Sequence, residues 1–473
     1  MNFKIFTKIS GLVLFLLQLT SMAMGPKPPT DLKIISQTMS QIRVEWKDQS
    51  SNESHFVLER SSSDGTMVPI ATLPANTIKF ADAVPTPGLN YCYRISAFDD
   101  SKSSQSSNTI CASAIPRISL LNSIGLPAGS GSNYPGTVVS GNQVIIPTVN
   151  GVHVYERDDA GALSYLQYIG TPVDAYCAPN CSFAMGGYVL QVHNDWMAIN
   201  GPVPRVHYVQ GQSDAAIYLL RFENKQWVVK QILSGLRFNK LVMDENHIAV
   251  SIDVNYATGG NPGIQIYKRV GEFWEQRQKI GRSYDRRMFG STMELSGNLL
   301  AVSSQIGMYT GNVVIFEYVN SSWIEKDILR TYEYYRGFGH RIQIEGNQII
   351  ISDPTVAQAT GQVQIYGWNP SVGRAILETS LRLSGNERAY FGECLASSGN
   401  TLLIGAPYAS PYNPNENPNY GKVFFYRKEG TSWILRGQIN APTGFSGMGN
   451  NCSLTTDFKA AMPSANGLLL LSE

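Results

Sequence analysis

The sequence predicts an all-β protein in which one β-sandwich is followed by a larger unit built from repeated groups of strands. Three observations favour this fold class: Gly, Tyr and Ser are plentiful, long helical heptads are absent, and a turn-and-strand motif recurs seven times. The chain has 473 residues, which fits about two to four domains.

The charge balance excludes two classes of protein. Charged residues make up 15% of the chain and the formal net charge is +1. A nucleic-acid binder needs clustered Lys and Arg to displace counterions from phosphates. A disordered chain needs low hydrophobicity with high net charge, whereas 43% of these residues are hydrophobic. We therefore expect a folded protein with no nucleic-acid partner.

The N-terminus has the order of a secretory signal peptide over residues 1–23. Two lysines precede an apolar run, Gly11 to Leu19, which is too short to span a bilayer. Ser21-Met22-Ala23 supplies small residues for cleavage after Ala23, and Ala23-Met24-Gly25 is the alternative. We expect a secreted or periplasmic protein with no membrane span.

An even number of cysteines behind a signal peptide favours disulfide bonds over metal binding. Free buried thiols are the alternative. No Cys or His spacing matches a zinc site, so we expect neither a metal nor a cofactor. The candidate disulfide cysteines are Cys92, Cys111, Cys177, Cys181, Cys394 and Cys452.

Residues 26–115 have the size and patterning of one β-sandwich. Ile42, Val44 and Trp46 alternate with polar residues, as a strand with one buried face should. The run from His55 to Arg60 alternates in the same way. These patterns predict short antiparallel strands packed face to face.

This segment resembles a fibronectin type III domain. Trp46 matches the buried tryptophan of that family, and Tyr91 matches its tyrosine corner. Cys92 and Cys111 fall on the last two strands, which are antiparallel neighbours, so they are candidates for a cross-strand disulfide. The resemblance implies a spacer or a binding platform.

Residues 117–473 carry the repeat, in which a short polar turn precedes an apolar strand. Successive copies lie 49 to 57 residues apart. Each period is long enough for four short strands and their turns, so the repeat predicts a seven-bladed β-propeller. The anchors of the copies are Asn142, Asn194, Asn246, Asn298, Asn347, Asn400 and Asp457.

The two ends of this unit are predicted to share one blade. The seventh copy lacks a fourth strand, and Ile118 to Ile124 has the pattern of an outer strand without earlier partners. Pairing them leaves no open sheet edge. Cys394 and Cys452 fall on the inner strands of adjacent blades, where a disulfide would lock the closing blade.

The repeat unit resembles the integrin-α-like, FG-GAP family of seven-bladed propellers. The sixth copy contains Phe391-Gly392 and Gly405-Ala406-Pro407, while Phe289-Gly290 and Phe338-Gly339 retain the first half and Met462-Pro463 is a remnant of the second. The family's calcium loops of D-x-D-x-D-G type are absent, so calcium is not expected.

The loops on one face of the propeller are long and rich in Tyr and Arg. These residue types concentrate in binding hot spots, because rigid amphipathic side chains bury area at low entropic cost. Solvated loop residues without a ligand are the alternative. The candidate binding residues are Tyr284, Tyr332, Tyr334, Tyr335, Arg336, Tyr390, Tyr408 and Tyr412, and Tyr420 lies in the same set of loops.

Catalytic motifs are scarce. No nucleophile elbow or zinc-protease motif is present. Glu294 and Glu393 lie on predicted inner strands and form a possible carboxylate pair. The sequence therefore favours a monomeric, non-enzymatic binding or adhesion protein whose partner is a glycan or an extracellular protein surface. The alternatives are an extracellular carbohydrate-active enzyme using channel carboxylates and a structural partner in a larger assembly.

Overall fold

The computed structural model describes two compact units, which divide near Ala112. Within the described ranges the chain is all-β, with one short helical turn, α1 (Val356–Ala359). None of the helical structure in those ranges is long and apolar enough to cross a membrane. The described residues are 25–37, 41–61, 65–83, 90–99, 102–113, 117–121, 137–148, 151–158, 162–170, 190–204, 215–234, 238–252, 263–281, 289–306, 310–330, 337–383, 388–409, 420–441, 447–455, 460–464 and 467–472.

The first unit consists of two sheets. Alternate residues of one strand, Ile42, Val44 and Trp46, are buried, as their pattern predicts. The strand orders are β1 (Thr30–Gln37), β2 (Gln41–Lys47), β5 (Lys79–Ala83) in one sheet and β4 (Met67–Pro74), β3 (His55–Ser61), β6 (Asn90–Phe98), β7 (Ile110–Ser113) in the other.

The core of the first unit is apolar and cross-linked. The rings of Trp46 and Phe56 meet edge to face, with centroids 6.1 Å apart. The disulfide Cys92–Cys111 joins β6 to β7, and its Cα atoms are 4.0 Å apart. These contacts tie the two sheets and the last two strands together.

A buried charge cluster, which the sequence did not predict, lies in the same unit. The guanidinium of Arg60 donates to both carboxylate oxygens of Asp82, at 2.8 and 2.7 Å. The hydroxyl of Tyr93 donates to Asp82 Oδ2 at 2.7 Å. Burial, followed by this bond, raises the pKa of Tyr93. All three side chains thus have partners.

The second unit consists of seven four-stranded antiparallel sheets. In sheets 1 to 6 the strands follow each other in chain order, so each sheet is a succession of hairpins. Sheet 1 has β9 (Val138–Ser140), β10 (Gln143–Thr148), β11 (Gly151–Arg157) and β12 (Leu163–Gly170); sheet 2 has β13 (Leu190–His193), β14 (Trp196–Pro202), β15 (Ala215–Glu223) and β16 (Gln226–Leu233); sheet 3 has β17 (Phe238–Met243), β18 (His247–Ile252), β19 (Gly263–Val270) and β20 (Phe273–Gly281).

The same order continues in the rest of the unit. Sheet 4 has β21 (Met293–Ser296), β22 (Leu299–Ile306), β23 (Thr310–Val319) and β24 (Ser322–Arg330); sheet 5 has β25 (Ile342–Glu345), β26 (Gln348–Asp353), β27 (Gln362–Asn369) and β28 (Arg374–Leu381); sheet 6 has β29 (Leu395–Ser398), β30 (Thr401–Ala406), β31 (Lys422–Glu429) and β32 (Ser432–Asn440); sheet 7 has β33 (Ser453–Leu454), β34 (Ala460–Ser464), β35 (Gly467–Ser472) and β8 (Arg117–Leu121).

The first strands of the seven sheets contact each other in sequence. Each of β9, β13, β17, β21, β25 and β29 contacts the first strand of the next sheet, and β33 contacts β9. In sheet 7, β8 pairs with β35, so strands from the beginning and the end of this unit share one sheet, as predicted. The disulfide Cys394–Cys452 links residues that immediately precede β29 and β33.

In five of the seven sheets, the turn between the first and second strands contains a residue with positive φ. A residue with positive φ fits there most easily when it is Gly or Asn. In most sheets a backbone N–H of the third strand donates to the carbonyl of the anchor Asn, as Arg157 does to Asn142. In sheet 2 the left-handed residue is Asn194, and the equivalent carbonyl belongs to Asp195. The anchor predicted at Asn194 is therefore wrong by one residue, since Asp195 occupies the anchor position. The left-handed residues are Gly141, Asn194, Gly297, Gly346 and Gly399, with φ between 52° and 59°.

The outer strands of neighbouring sheets are held together by Gln side chains. In three neighbouring pairs a Gln amide donates to the carbonyl of a Trp in the next sheet and accepts from its backbone N–H. These six bonds measure 2.7 to 3.0 Å. The buried tryptophans thus pack between sheets. The pairs are Gln167–Trp227, Gln231–Trp274 and Gln278–Trp323.

A Phe-Gly pair precedes the first strand in each of sheets 4, 5 and 6 and packs against the preceding sheet. The phenyl rings are buried, and Gly392 has φ 98°. A Cβ atom there would lie 2.8 Å from Cβ of Ser352, so only glycine fits. Gly361 forms a parallel bridge with Phe391, and Gly421 forms the same bridge with Met448. Met448-Gly449 therefore takes the Phe-Gly place in sheet 7, a substitution that the sequence alone did not reveal.

Candidate functional site

A cavity of about 340 Å³ lies where the first strands of all seven sheets converge. Side chains alternate along a strand, so each sheet presents residues to the cavity at intervals of two. One ring of residues, one from each sheet, consists of Val138, Gln191, Val242, Glu294, Gln343, Ala396 and Ser453.

The carboxyl of Glu294 is the ionisable group of this ring. The pKa of Glu294 is raised to about 8, because burial, together with the charge of Glu345, outweighs the opposing charge of Lys240. The carboxyl is therefore largely protonated at neutral pH. A neutral carboxylic acid donates one hydrogen bond and accepts others, so it is able to bind a polar ligand or transfer a proton.

Two basic side chains line the cavity, each two residues before a member of this ring: Lys240 precedes Val242, and Arg341 precedes Gln343. Burial lowers the pKa of both Lys240 and Arg341. Their backbone N–H groups donate to Ser251 Oγ and Ser352 Oγ, at 3.0 and 3.1 Å, which fixes the position of each first strand. The cavity thus combines two basic side chains with a neutral acid.

Glu393, the second predicted carboxylate, has a different environment. Its Oε1 lies 3.0 Å from Nε2 of His340, and its backbone carbonyl accepts from Arg341 Nε at 3.0 Å. Burial raises the pKa of Glu393, but the bond to His340 and the charges of His340 and Arg341 outweigh burial and lower it. Glu294 lies on the first strand of sheet 4, as predicted, whereas Glu393 precedes β29 instead of lying on it and does not line the cavity. The two carboxyls therefore have different neighbours.

A tyrosine cluster, Tyr390, Tyr408 and Tyr420, lies in sheet 6 at the ends of its strands. Tyr390 precedes Phe391-Gly392, Tyr408 follows β30 and Tyr420 precedes β31. The ring centroids of Tyr390 and Tyr408 are 5.1 Å apart, and those of Tyr408 and Tyr420 are 6.0 Å apart. The last two rings are nearly parallel, at 16°. Tyr408 is 37% exposed, so the cluster presents an aromatic surface to solvent.

The backbone beside the tyrosine cluster is strained. Tyr390 has φ 53°, and three consecutive residues, Ala357 to Ala359, also have positive φ. Each such residue costs about 1–2 kcal/mol when it is not glycine. The N–H groups of Tyr390 and Phe391 donate to the carbonyls of Ala359 and Thr360, at 2.9 and 3.1 Å, which holds this conformation. Strain of this kind tends to cluster at functional sites.

The structure brings together only part of the predicted set. Tyr390 and Tyr408 are in contact, with Tyr420 beside them. The other predicted ligand-binding residues and two of the predicted disulfide cysteines lie outside the described residues. These are Tyr284, Tyr332, Tyr334, Tyr335, Arg336, Tyr412, Cys177 and Cys181.

Lys240 and Arg341 were not predicted from the sequence. Lys240 lies on β17 and Arg341 immediately precedes β25, and their equivalence is visible only from the bonds of their backbone N–H groups to Ser251 and Ser352. Among the described residues, no group of three or more His, Cys, Asp or Glu side chains is arranged to hold a metal ion.

Comparison with known proteins gives fold neighbours only. No family model and no curated protein matches the chain. The fibronectin type III domain of a human fibronectin type III domain containing protein 3 is 16% identical, covering 21% of this chain and 94% of that one, with a TM-score of 0.18. An Fn3-like protein from Clostridium thermocellum is 21% identical over 20% of this chain and 95% of its own, with a TM-score of 0.17.

The solved structures that are similar include one that covers most of the chain. A putative 6-phosphogluconolactonase from Bacteroides fragilis is 13% identical, covering 71% of this chain and 97% of that one, with a TM-score of 0.38. At these identities and TM-scores, none of the matches assigns an activity to the chain.

Proposed function

We propose that the protein is a secreted binding protein that recognises a carbohydrate through the tyrosine cluster. The observation that carries the proposal is the row of three tyrosine rings with adjacent centroids 5.1 and 6.0 Å apart. A sugar presents apolar C–H groups on its ring faces and hydroxyls at its edges. Tyrosines match that pattern, because they combine an apolar ring with a polar hydroxyl.

The scaffold in this proposal is a seven-bladed β-propeller of the FG-GAP type, with the fibronectin type III-like unit as its spacer. The cyclic contacts of the seven first strands and the shared sheet 7 support a closed ring. Two disulfides and a signal-like N-terminus support an extracellular location. Loops held by such a rigid ring are suited to binding.

Screening the purified protein on a glycan array, followed by calorimetric titration of the best oligosaccharide, tests the proposal. We expect Tyr408→Ala to weaken binding about ten-fold or more, as for a buried aromatic anchor. Tyr165→Ala is the matched control, because Tyr165 is 57% exposed and lies outside the cluster. If no glycan binds, or if both variants lose affinity equally, the proposal fails; a protein ligand that depends on Tyr408 would replace the carbohydrate.

The second candidate is a carbohydrate-active enzyme that uses Glu294, which lines the cavity, together with Glu393, which does not line it. Opposite shifts of the pKa of Glu294 and Glu393, upward and downward, favour it, because an acid and a base are distinguished in this way. Turnover of a polysaccharide by the wild type that disappears in Glu294→Gln would establish the enzyme. Glu275→Gln is the control, because Glu275 is a half-exposed residue of β20 that does not line the cavity.

A further inference from the structure

A second cavity, of about 360 Å³, lies between sheets 3 and 4. It shares no lining residue with the central cavity or the tyrosine cluster. The residues that matter for its chemistry are His247, Lys268, Arg277, Tyr318, Ser321 and Trp323. They come from β18, β19 and β20 and from the hairpin of β23 and β24.

The side chain of His247 is buried without a hydrogen bond. His247 is 5% exposed, and neither ring nitrogen has a partner. Its Nδ1 lies 3.8 Å from Asp244 Oδ1, too far for a hydrogen bond, and that oxygen accepts the backbone N–H groups of Asn246 and His247. The imidazole packs on Tyr318 and Trp323, at centroid distances of 4.6 and 5.3 Å.

The same position in two other sheets carries a satisfied pair. His247 is the first residue of the second strand in sheet 3, as Gln143 and Gln348 are in sheets 1 and 5. Each Gln accepts a bond from the indole N–H of the next sheet's Trp, at 3.0 and 3.1 Å. Between sheets 3 and 4 the indole N–H of Trp323 is unpaired, like the nitrogens of His247. Three polar atoms that are normally satisfied therefore lie together beside one cavity.

The charged groups of the cavity are cations. Nζ of Lys268 lies 5.6 Å from the centre of the Tyr318 ring and 3.2 Å from its hydroxyl oxygen. Arg277 is half exposed and pairs with Glu275. Burial lowers the pKa of His247, and Lys268 lowers it further, although Asp244 raises it. A neutral imidazole, an indole N–H, a hydroxyl and an ammonium together supply mainly donors.

We propose that this cavity binds a small organic anion, a carboxylate carried on a single ring. The carboxylate oxygens accept hydrogen bonds from Lys268 and from the indole N–H of Trp323. The ring of the ligand packs on Tyr318. The volume is within the range of small-molecule sites, which combine apolar walls with a few polar groups.

Titration of the full chain with benzoate, followed by calorimetry, tests the proposal. Benzamide serves as the neutral isostere, and acetate and inorganic phosphate serve as anions without a ring. We expect benzoate to bind, and Lys268→Met to weaken binding at least ten-fold. Lys279→Met is the matched control, because Lys279 is an exposed lysine on β20 outside the cavity. The proposal would be overturned if benzoate did not bind, if benzamide bound equally well, or if both variants lost affinity equally. Tighter binding of acetate or phosphate would show that the ligand needs no ring.

A second variant, His247→Gln, gives sheet 3 the residue that sheets 1 and 5 carry at this position. Glutamine at this position accepts the indole N–H of Trp323, as Gln143 and Gln348 do for Trp227 and Trp433. We expect a higher Tm together with loss of benzoate binding. A lower Tm, or unchanged binding, would contradict the assignment of these polar atoms to a ligand. The site is independent of the tyrosine cluster, so Tyr408→Ala should leave benzoate binding as in the wild type.

Discussion

The buried carboxyl of the sandwich and that of the central cavity have opposite environments. In the sandwich, Asp82 accepts two bonds from Arg60 and one from Tyr93. In the cavity, the carboxyl of Glu294 makes no ion pair with any residue that the structure describes, and its pKa rises to about 8. A paired charge within a core contributes to stability, whereas an unpaired ionisable group in a cavity is more typical of a binding or catalytic site.

Removing the shared acceptor of the sandwich should give the largest loss of stability. Asp82→Ala leaves Arg60 as a buried cation and Tyr93 as a buried hydroxyl without its acceptor. We expect the free energy of unfolding of the sandwich to fall by about 3–5 kcal/mol. Hydrogen exchange of the β3 and β6 amides measures this loss. A loss below 1 kcal/mol would show that the charge cluster is not the stabilising element described here.

Glu294 should give a smaller effect that depends on pH. Its pKa in the folded protein, about 8, is above the ordinary 4.5, so the folded state holds the proton more tightly. The resulting stability is complete below pH 4.5 and is lost as the pH rises towards 8. We expect the free energy of unfolding of the repeat unit to fall by about 2–4 kcal/mol across this window.

Urea unfolding at several pH values measures that dependence. Glu294→Gln, which keeps the shape without the titration, should flatten it. Glu393→Gln is the contrasting variant, because the pKa of Glu393 is lowered and its contribution is lost on acidification instead. An equally steep decline in Glu294→Gln would mean that another group titrates.

An exposed ion pair of the sandwich should give the smallest effect. Lys47 Nζ lies 2.7 Å from Asp31 Oδ2, but both side chains are mostly in solvent. Water and salt screen such pairs. We expect Lys47→Met to leave hydrogen exchange of the sandwich amides unchanged within error. A change as large as that in Asp82→Ala would show that the buried and the exposed pair contribute equally to stability.

The regular parts of the fold were predictable because strand alternation and a constant period reflect burial directly. Ile42, Val44 and Trp46 are buried as their spacing predicts, and β8 pairs with β35. The replacement of a motif was not predictable in the same way. Met448-Gly449 keeps the backbone geometry of Phe-Gly, while the residue that defines the motif has changed.

The candidate site was less predictable, because its residues meet only in three dimensions. Lys240 and Arg341 are about a hundred residues apart in the chain, and each looks like an ordinary charge in its own strand. Tyr408 and Tyr420 lie near the two ends of one loop and Tyr390 lies in another, and nothing in the sequence specified that their rings would align. The unpaired polar atoms around His247 required the hydrogen bonds of the other sheets for comparison.

A crystal structure with an oligosaccharide selected from the glycan array tests carbohydrate binding by the tyrosine cluster most directly. We expect sugar density stacked on Tyr408, beside Tyr390 and Tyr420, on a ring of seven sheets that share a central cavity. Sugar bound elsewhere, with the three tyrosine rings free of ligand, would contradict this expectation.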